Sequence, residues 1–349
     1  MSPPRHCEEP RGGDEAIQAA APGVMPTRRI ATFLAALVLS FAALGPGQAQ
    51  ETKLAVMVFR GGQNLPLFAA QEKGFLAERG LLVNVVYAPS ADELPRVLAD
   101  GRVQIIHSTA DNAVKILDVD KLDVALVIGG DNAHNHIIAQ PDIARLEDLR
   151  GKTIVLDTST SGYAFVLYAI LKRHGLAKGD YALKTVGATP RRLAALLDDK
   201  SNKAAVLNPP FSIQAVKAGL KDLGSTVSMM GPYQGPAGYT LRSWATANDA
   251  VLVKYLQAYI AGVRWALDPA NKAAAVEILA RRLELSPDIA AAVYDVVTDR
   301  QEGFATDGRF DREGFNNVLQ LRAEYEGVAP AAPEKYLDLS YYQRALKGL

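Results

Sequence analysis

The chain has 349 residues, which is more than one typical domain and indicates two. Apolar side chains make up 49% of the sequence, so a large core can form. The 38 basic and 38 acidic residues balance. Charge therefore gives no argument for binding to nucleic acid or to an anionic membrane surface.

The amino-terminal segment has two parts that do not resemble a folded domain. Residues 1–24 are rich in Pro, Gly and acidic side chains and are predicted to be a disordered extension. Residues 25–49 have the three parts of a secretory signal peptide: a basic pair, an apolar run from Ile30 to Leu44, and the small-x-small sequence Gly47-Gln48-Ala49. The apolar run is shorter than the roughly 20 residues that span a bilayer. We predict export, with Met25 as an alternative translation start.

Cysteine usage excludes several kinds of site in the exported chain. The single cysteine, Cys7, precedes the predicted cleavage point. The exported chain is therefore predicted to have no disulfide, no thiol nucleophile and no thiolate metal site.

Short apolar runs alternate with segments of helical spacing along most of the exported chain. The predicted strands are 53–59, 82–87, 103–107, 124–128, 153–156, 182–186, 204–207 and 239–244. The predicted helices are 66–78, 91–99, 163–173, 190–197, 251–267, 271–283, 287–297 and 312–325, with shorter ones ending near 117 and 218. This alternation predicts parallel sheets, with ligands bound beyond the carboxyl ends of the strands.

The stretch LEDLRGKTIVLDTSTSGYAFVLYAILKRHGL, residues 146–176, combines a buried strand, a loop of small polar residues and a helix. The first N–H groups of a helix lack internal partners and favour an anion. The hydroxyls of Thr160 and Ser161 add donors. The same residues also fit an ordinary connection with a capping serine.

Four segments together resemble a known family: NLPLFAAQEKGFLAERGLLVNVV, ADGRVQIIHSTADN, the stretch at 146–176, and NPPF. Over about residues 53–285 the chain resembles the substrate-binding proteins of ABC importers for sulfonates, nitrate and thiamine-pyrimidine precursors. The resemblance implies a two-lobed α/β fold of the periplasmic-binding-protein type II class, each lobe a mainly parallel sheet flanked by helices. Lobe 1 would comprise 50–138 plus 237–349, with its last helices packed on it, and lobe 2 would comprise 139–236. The chain would cross near Ile137–Gln140 and near Ser228–Tyr239.

The resemblance also implies a ligand site in the cleft between the lobes, at the corners where strands end. The residues carried over are Gly62, Gln63, Asn64, Ser108, Thr109, Asn132, His134, Thr160, Ser161, Gly162, Asn208, Phe211 and Tyr239. The glycine at 162 lies two positions later than in the family's Gly-Ser-Thr motif. Asn64 and Ser108 also fit helix caps, and Phe211 and Tyr239 also fit core positions. For His134 and His136 a structural or ligand-bonding role is favoured over a metal pair, because no third ligand is near in sequence.

The predicted function is capture of a small anionic organic ligand, such as a carboxylate, sulfonate or pyrimidine-like compound, by closure of two lobes. The expected partners are this ligand and the permease subunits of an ABC importer. The protein is expected to be a periplasmic monomer that is not embedded in a membrane, binds no nucleic acid, metal or cofactor, and is not an enzyme. One alternative is a receptor component that senses the ligand without transport. The other is an enzyme like the pyrimidine synthase that the family resembles, although that enzyme relies on a cysteine-rich motif and the exported chain has no cysteine.

Export can be checked directly. Mass spectrometry of the protein recovered from the periplasm should show a chain that begins near Gln50, because the signal is cut after Ala49. An intact amino terminus in that material would contradict the signal peptide.

Overall fold

The structure is a computed structural model that describes residues 51–132 and 134–349. The predicted extension at 1–24 and signal peptide at 25–49 lie outside the described residues. Within the described part of the chain, no helix has both the length and the apolar character needed to cross a membrane.

The strands are β1 Thr52–Val58, β2 Leu81–Tyr87, β3 Ile105–Thr109, β4 Val124–Ile128, β5 His136–Ala139, β6 Thr153–Leu156, β7 Ala182–Thr185, β8 Asn202–Leu207, β9 Lys221–Ser225 and β10 Pro236–Leu241. The α-helices are α1 Leu65–Glu72, α2 Leu94–Ala99, α3 Ala110–Asp118, α4 Gly162–Arg173, α5 Thr189–Asp198, α6 Phe211–Lys217, α7 Thr226–Met230, α8 Arg242–Ala247, α9 Asp249–Leu267, α10 Lys272–Leu283, α11 Pro287–Val297, α12 Arg312–Glu326 and α13 Ser340–Lys347.

The strands form two five-stranded sheets with the same pattern. In the first sheet the order is β2-β1-β3-β10-β4, where β1 is parallel to β2 and β3 and β10 is antiparallel to both of its neighbours. In the second sheet the order is β7-β6-β8-β5-β9, where β6 is parallel to β7 and β8 and β5 is antiparallel to both of its neighbours. The predicted two-lobed α/β class, with mainly parallel sheets flanked by helices, is confirmed.

Several predicted elements differ from the structure. Ile137–Gln140 was expected to be a connector, but β5 lies inside the second sheet because Ile137, Ile138 and Ala139 are fully buried between β8 and β9. The strand expected at Tyr239–Trp244 ends at Leu241, and helix α8 follows. The sequence did not indicate β9, α7 or α13, which lack a long apolar pattern. From the sheet membership of the strands, we propose that the chain crosses between the lobes at 129–135 and 231–235.

The carboxyl-terminal helices have two different roles. Helix α9 and its neighbours α10, α11 and α13 share a buried apolar cluster with β1, β2 and α1 of the first lobe. Helix α12 instead contacts both lobes: Arg322 bonds to Asp111 of α3 at 2.9 Å, and Tyr325 stacks on Phe165 of α4 with ring centroids 5.5 Å apart. The last helices therefore do not all pack on the first lobe.

The crossing of α1 and α9 depends on a glycine. Gly262 in α9 lies so close to α1 that a Cβ atom there would overlap the carbonyl oxygen of Pro66. Because the obstacle is backbone, a rotamer change cannot relieve it.

We expect Gly262→Ala to destabilise the protein, since α9 must shift away from α1. Overpacking of this kind costs about 1–3 kcal/mol, which corresponds to a fall in melting temperature of roughly 2–10 °C. Lys254→Ala on the exposed face of the same helix is the matched control and should change stability by less than about 0.5 kcal/mol. Equal melting temperatures for the two variants would show that the helices are not in tight contact at Gly262.

Candidate ligand-binding site

A cavity lies between the two sheets, where the carboxyl ends of their parallel strands face each other. Its volume is about 60 Å³, counted as the space that the centre of a water-sized sphere can occupy. One water needs only about 10–15 Å³ on this measure, so a small molecule fits. The cavity is lined by Phe59, Gln63, His107, Ser108, Thr109, Asn112, Asp131, His134, Asn135, Asp157, Ser161, Tyr163, Ala188, Thr189, Arg192, Asn208 and Pro236.

The structure brings about half of the predicted residues together in this cavity. Those that line it are Gln63, Ser108, Thr109, His134, Ser161 and Asn208. Those that do not line it are Gly62, Asn64, Asn132, Thr160, Gly162, Phe211 and Tyr239.

Hydrogen bonds within the protein occupy three of the predicted residues outside the cavity. The Asn64 amide donates to the carbonyl oxygen of Phe59 at 2.7 Å and stabilises its own loop. The Asn132 amide donates to the carbonyl oxygen of Gln301 at 2.9 Å. Tyr239 lies beneath the cavity wall, with its hydroxyl 2.8 Å from Ser108 Oγ.

The other four predicted residues outside the cavity lie in contacts between elements or on the surface. Gly62 donates its N–H to the carbonyl oxygen of Pro209 at 3.0 Å, which joins the two lobes. At Gly162, a Cβ would lie 2.6 Å from Asp111, so this glycine permits close approach of α3 and α4. Phe211 belongs to a small apolar core of the second lobe, and Thr160 is exposed.

Ser161 caps helix α4 and also lines the cavity. Its Oγ accepts a hydrogen bond from the Ala164 N–H at 3.3 Å and donates one to the carbonyl oxygen of Thr158 at 3.2 Å. The hydroxyl proton is therefore already in use, and Ser161 has the capping role that the sequence analysis gives as the alternative.

Arg192 is a cavity residue that the sequence reading missed. It is only 6% exposed, and its guanidinium donates to Thr189 Oγ1 at 2.6 Å. Its Nε has no hydrogen-bond partner among the described residues. Burial lowers the pKa of Arg192 from its usual value, although Asp157 opposes that shift, and a guanidinium stays charged at any physiological pH.

A signal for Arg192 was present in the sequence. The residue lies on helix α5 with the buried residues Thr189, Leu193 and Leu196, at the i, i+3, i+4, i+7 spacing of one helix face. A charged side chain on an apolar face is unusual and points to a function. Its neighbour Arg191 is exposed.

Two carboxylates line the cavity as well. Burial raises the pKa of Asp157, and its Oδ1 has no hydrogen-bond partner within the described part of the chain. Asp131 is 2% exposed, and its Oδ1 lies 3.8 Å from Nδ1 of His134. The same His134 nitrogen is 3.3 Å from the carbonyl oxygen of Glu302, so this histidine is held against the loop after α11.

The side chains at the end of β3 give the cavity one uncharged wall. Burial lowers the pKa of His107 to about 3, so the ring is neutral. It stacks on Tyr259 with ring centroids 4.6 Å apart, and its Nε2 is 2.9 Å from the Tyr255 hydroxyl. The Asn112 amide donates to Ser108 Oγ at 3.1 Å, and this bond helps to fix the position of the Ser108 hydroxyl in the cavity wall. The cavity thus combines a neutral polar wall at the end of β3, the carboxylate of Asp131 after β4, and the buried cation of Arg192 beside Asp157.

A family model and several solved structures are similar to this chain. Residues 72–224 match the family model described as the periplasmic substrate-binding protein of phosphonate ABC transporters. No curated protein sequence matches the chain.

Solved structures with low sequence identity share the fold. The periplasmic nitrate-binding protein NrtA from Synechocystis PCC 6803 is 14% identical with a TM-score of 0.72, over 85% of this chain and 89% of that one. The periplasmic aliphatic sulphonate-binding protein SsuA from Escherichia coli is 16% identical with a TM-score of 0.64, over 82% and 92% of the two chains. The desulfurization enzyme DSZB, at 13% identity and a TM-score of 0.59 over 84% and 99%, shows that the fold also hosts catalysis. Through the match over residues 72–224 and the two-lobed architecture, the chain is similar to the periplasmic substrate-binding proteins of ABC transporters.

Proposed function

We propose that this protein captures a small organic anion in the cavity between its lobes and delivers it to an ABC importer. The observation that carries the proposal is the buried guanidinium of Arg192, whose Nε lacks a partner among the described residues. A guanidinium presents donors in a fork that matches the oxygens of carboxylate, sulfonate and phosphonate groups. Burial in an enclosed site strengthens such a contact, because little water competes for it.

The ligand that fits this cavity also carries a hydrogen-bond donor. Asp157 Oδ1 is buried and has no partner within the described residues, and Asp157 lies close enough to Arg192 for their charges to interact. A ligand with an amine or hydroxyl near its anionic group would satisfy both side chains. Phe59 and Tyr163 supply apolar surface for a short carbon skeleton.

Periplasmic location, work with permease subunits and a monomeric state are part of this proposal. The family match supports the first two at the level of the family. A receptor that senses the same ligand would use the same cavity but would not support uptake. Uptake of the ligand that depends on this protein together with a permease would distinguish the importer from the sensor.

The role of Arg192 can be tested by Arg192→Met, with Arg191→Met as the matched control on the exposed face of α5. A panel of methylphosphonate, ethanesulfonate, propionate and their amino-substituted counterparts is screened by thermal shift. A ligand at 100 times its Kd stabilises the native state by about 2.7 kcal/mol, which is a shift of roughly 5–10 °C. We expect that shift in the wild type and in Arg191→Met.

In Arg192→Met the shift should disappear, since loss of a buried charge partner weakens binding by about 2–5 kcal/mol, or roughly 30-fold or more in Kd. The melting temperature of the free variant is measured alongside to check that it folds, because the substitution also removes the partner of Thr189 and the charge opposite Asp157. Wild-type affinity in Arg192→Met would sink the proposed anion site.

Asp157 has its own test. Wild-type protein should bind an amino-substituted anion more tightly than the unsubstituted one, and Asp157→Asn should lose most of this preference while it still binds the unsubstituted anion. Burial raises the pKa of Asp157, so the preference for the amine should weaken as the pH falls through that raised pKa and the carboxylate takes up a proton. Calorimetric titration of the matched ligand pairs at several pH values measures this, and an unchanged preference in Asp157→Asn would exclude contact between Asp157 and the amine.

A further inference from the structure

A chain of side-chain hydrogen bonds runs from Arg192 in the second lobe to the first lobe. The Arg192 guanidinium donates to Thr189 Oγ1 at 2.6 Å, and that hydroxyl donates to Asn208 Oδ1 at 2.6 Å. The Asn208 amide then donates to Gln63 Oε1 at 3.2 Å. The first donor in this series belongs to Arg192, the residue proposed to bind the anion. The series of hydrogen bonds therefore connects the ligand cavity to the contact between the lobes.

The hydrogen bond between Asn208 and Gln63 is the member of this series that joins the two lobes. Asn208 follows β8 of the second sheet, and Gln63 follows β1 of the first. A backbone hydrogen bond of 3.0 Å, from Gly62 N–H to the carbonyl oxygen of Pro209, lies beside this contact. The Gln63 amide continues the chain to the carbonyl oxygen of Phe59 at 3.1 Å, at the end of β1. These bonds exist only while the two corners are adjacent.

Every bond of the chain has the same direction, from the cation outward. The Thr189 hydroxyl has one proton. Since it accepts from Arg192, its proton is directed to Asn208 Oδ1. That bond fixes the amide of Asn208 so that Nδ2 faces the first lobe, where it also lies 3.4 Å from the carbonyl oxygen of Arg60. A rotated amide would present an oxygen to Gln63 Oε1 and to Arg60, and two acceptors repel.

We propose that Thr189 and Asn208 are positioning residues. Through them, closure of the lobes depends on whether Arg192 holds an anion. A guanidinium held by an anion at Nε keeps its donor on Thr189, and the hydroxyl and amide then keep the orientation that bonds to Gln63. Bonds in such a chain also polarise one another, which strengthens the chain when its first donor is charged. Gln63 and Asn208 thereby act on closure rather than on the ligand. The inference rests on the proposed function, because the anion supplies the signal.

The test measures closure without needing the natural ligand. Cys7→Ser is made in the full chain, and spin labels are attached at Lys53→Cys and Lys200→Cys, which are exposed positions at the amino ends of β1 and β8, away from the cavity. Double electron–electron resonance gives the ratio of closed to open protein. Thr189→Val removes the hydroxyl at nearly constant shape and should lower this ratio at least threefold. Thr189→Ser keeps the hydroxyl and should restore the ratio.

Gln63→Met should lower the ratio to a similar extent, and the double variant Thr189→Val, Gln63→Met should lower it no further, since residues in one network are not additive. Additive effects, an unchanged ratio in Thr189→Val, or no closed population in the labelled parent would each overturn the coupling. Gln63 is only half-buried, so its variant provides a result even where Thr189→Val fails to fold.

Methylphosphonate separates this inference from the proposed function. If it raises the closed fraction of the parent but not of Thr189→Val, the coupling is supported. If it raises both equally, the anion site stands and the coupling falls. If no anion of the panel binds the parent, the proposed function fails, while the additivity of the ligand-free ratios still decides whether the hydrogen-bonded chain holds the lobes together.

Discussion

Burial of one guanidinium between two lobes is the constraint on which the site depends. A cation in a water-poor cavity loses much of its hydration, and that loss amounts to several kcal/mol unless partners replace the water. In the described residues Arg192 has one neutral hydrogen bond, to Thr189, and the field of Asp157. Those partners leave its Nε unsatisfied. The protein alone therefore leaves this cation under-compensated, and an oxyanion is the chemical group that would complete its environment.

The equivalent topology of the two sheets explains why polar groups from distant parts of the chain meet at this cation. Each sheet places its parallel strands with their carboxyl ends toward the other lobe. Short corners then bring residues from six strand ends of the two sheets to one cavity. Helix α12 contacts the first lobe through the buried pair of Arg322 and Asp111, 2.9 Å apart, and the second lobe through the stacking of Tyr325 on Phe165. The lobes also meet directly through the hydrogen bond between Asn208 and Gln63, so two separate sets of contacts join them.

The sequence predicted most of the elements because their periodicity is strong. Strands such as β4 and helices such as α4 carry long apolar patterns, and their bounds agree with the structure within a residue or two. The failures have physical reasons: β9 is a mostly polar strand at the sheet edge, and β5 is a four-residue run that sequence alone does not distinguish from a connector. Topology also decides where α12 packs, and no local pattern records that.

The sequence indicates which corners face the cavity, but it does not indicate the direction of their side chains. The corners after β1, β3, β6 and β8 do line the cavity. Asn64 lies in one of these corners, yet its amide turns back to Phe59 because the loop backbone needs a donor there. The location of a corner follows from the order of strands, whereas the direction of a side chain follows from which local hydrogen bonds compete for it. Arg192 was missed for a different reason, since it lies on a helix face rather than in a corner.

Two features of the cavity could bind an anion: the amino terminus of helix α4 and the guanidinium of Arg192. Their contributions to the binding free energy can be compared. The helix that begins at Gly162 offers an anion about 0.3–2 kcal/mol, and the Ser161 hydroxyl already donates to Thr158. A hydrogen bond to a charged group such as the Arg192 guanidinium contributes about 1.5–3 kcal/mol, and loss of one member of a buried charge pair costs about 2–5 kcal/mol. Micromolar affinity requires about 8 kcal/mol. The helix terminus therefore supplies at most a quarter of that total, and the guanidinium with the apolar burial of the ligand must supply most of the rest. In the proposed site, the stretch at 146–176 then serves mainly as the frame of the cavity, and helix α5 carries Arg192, the residue proposed to bind the anion.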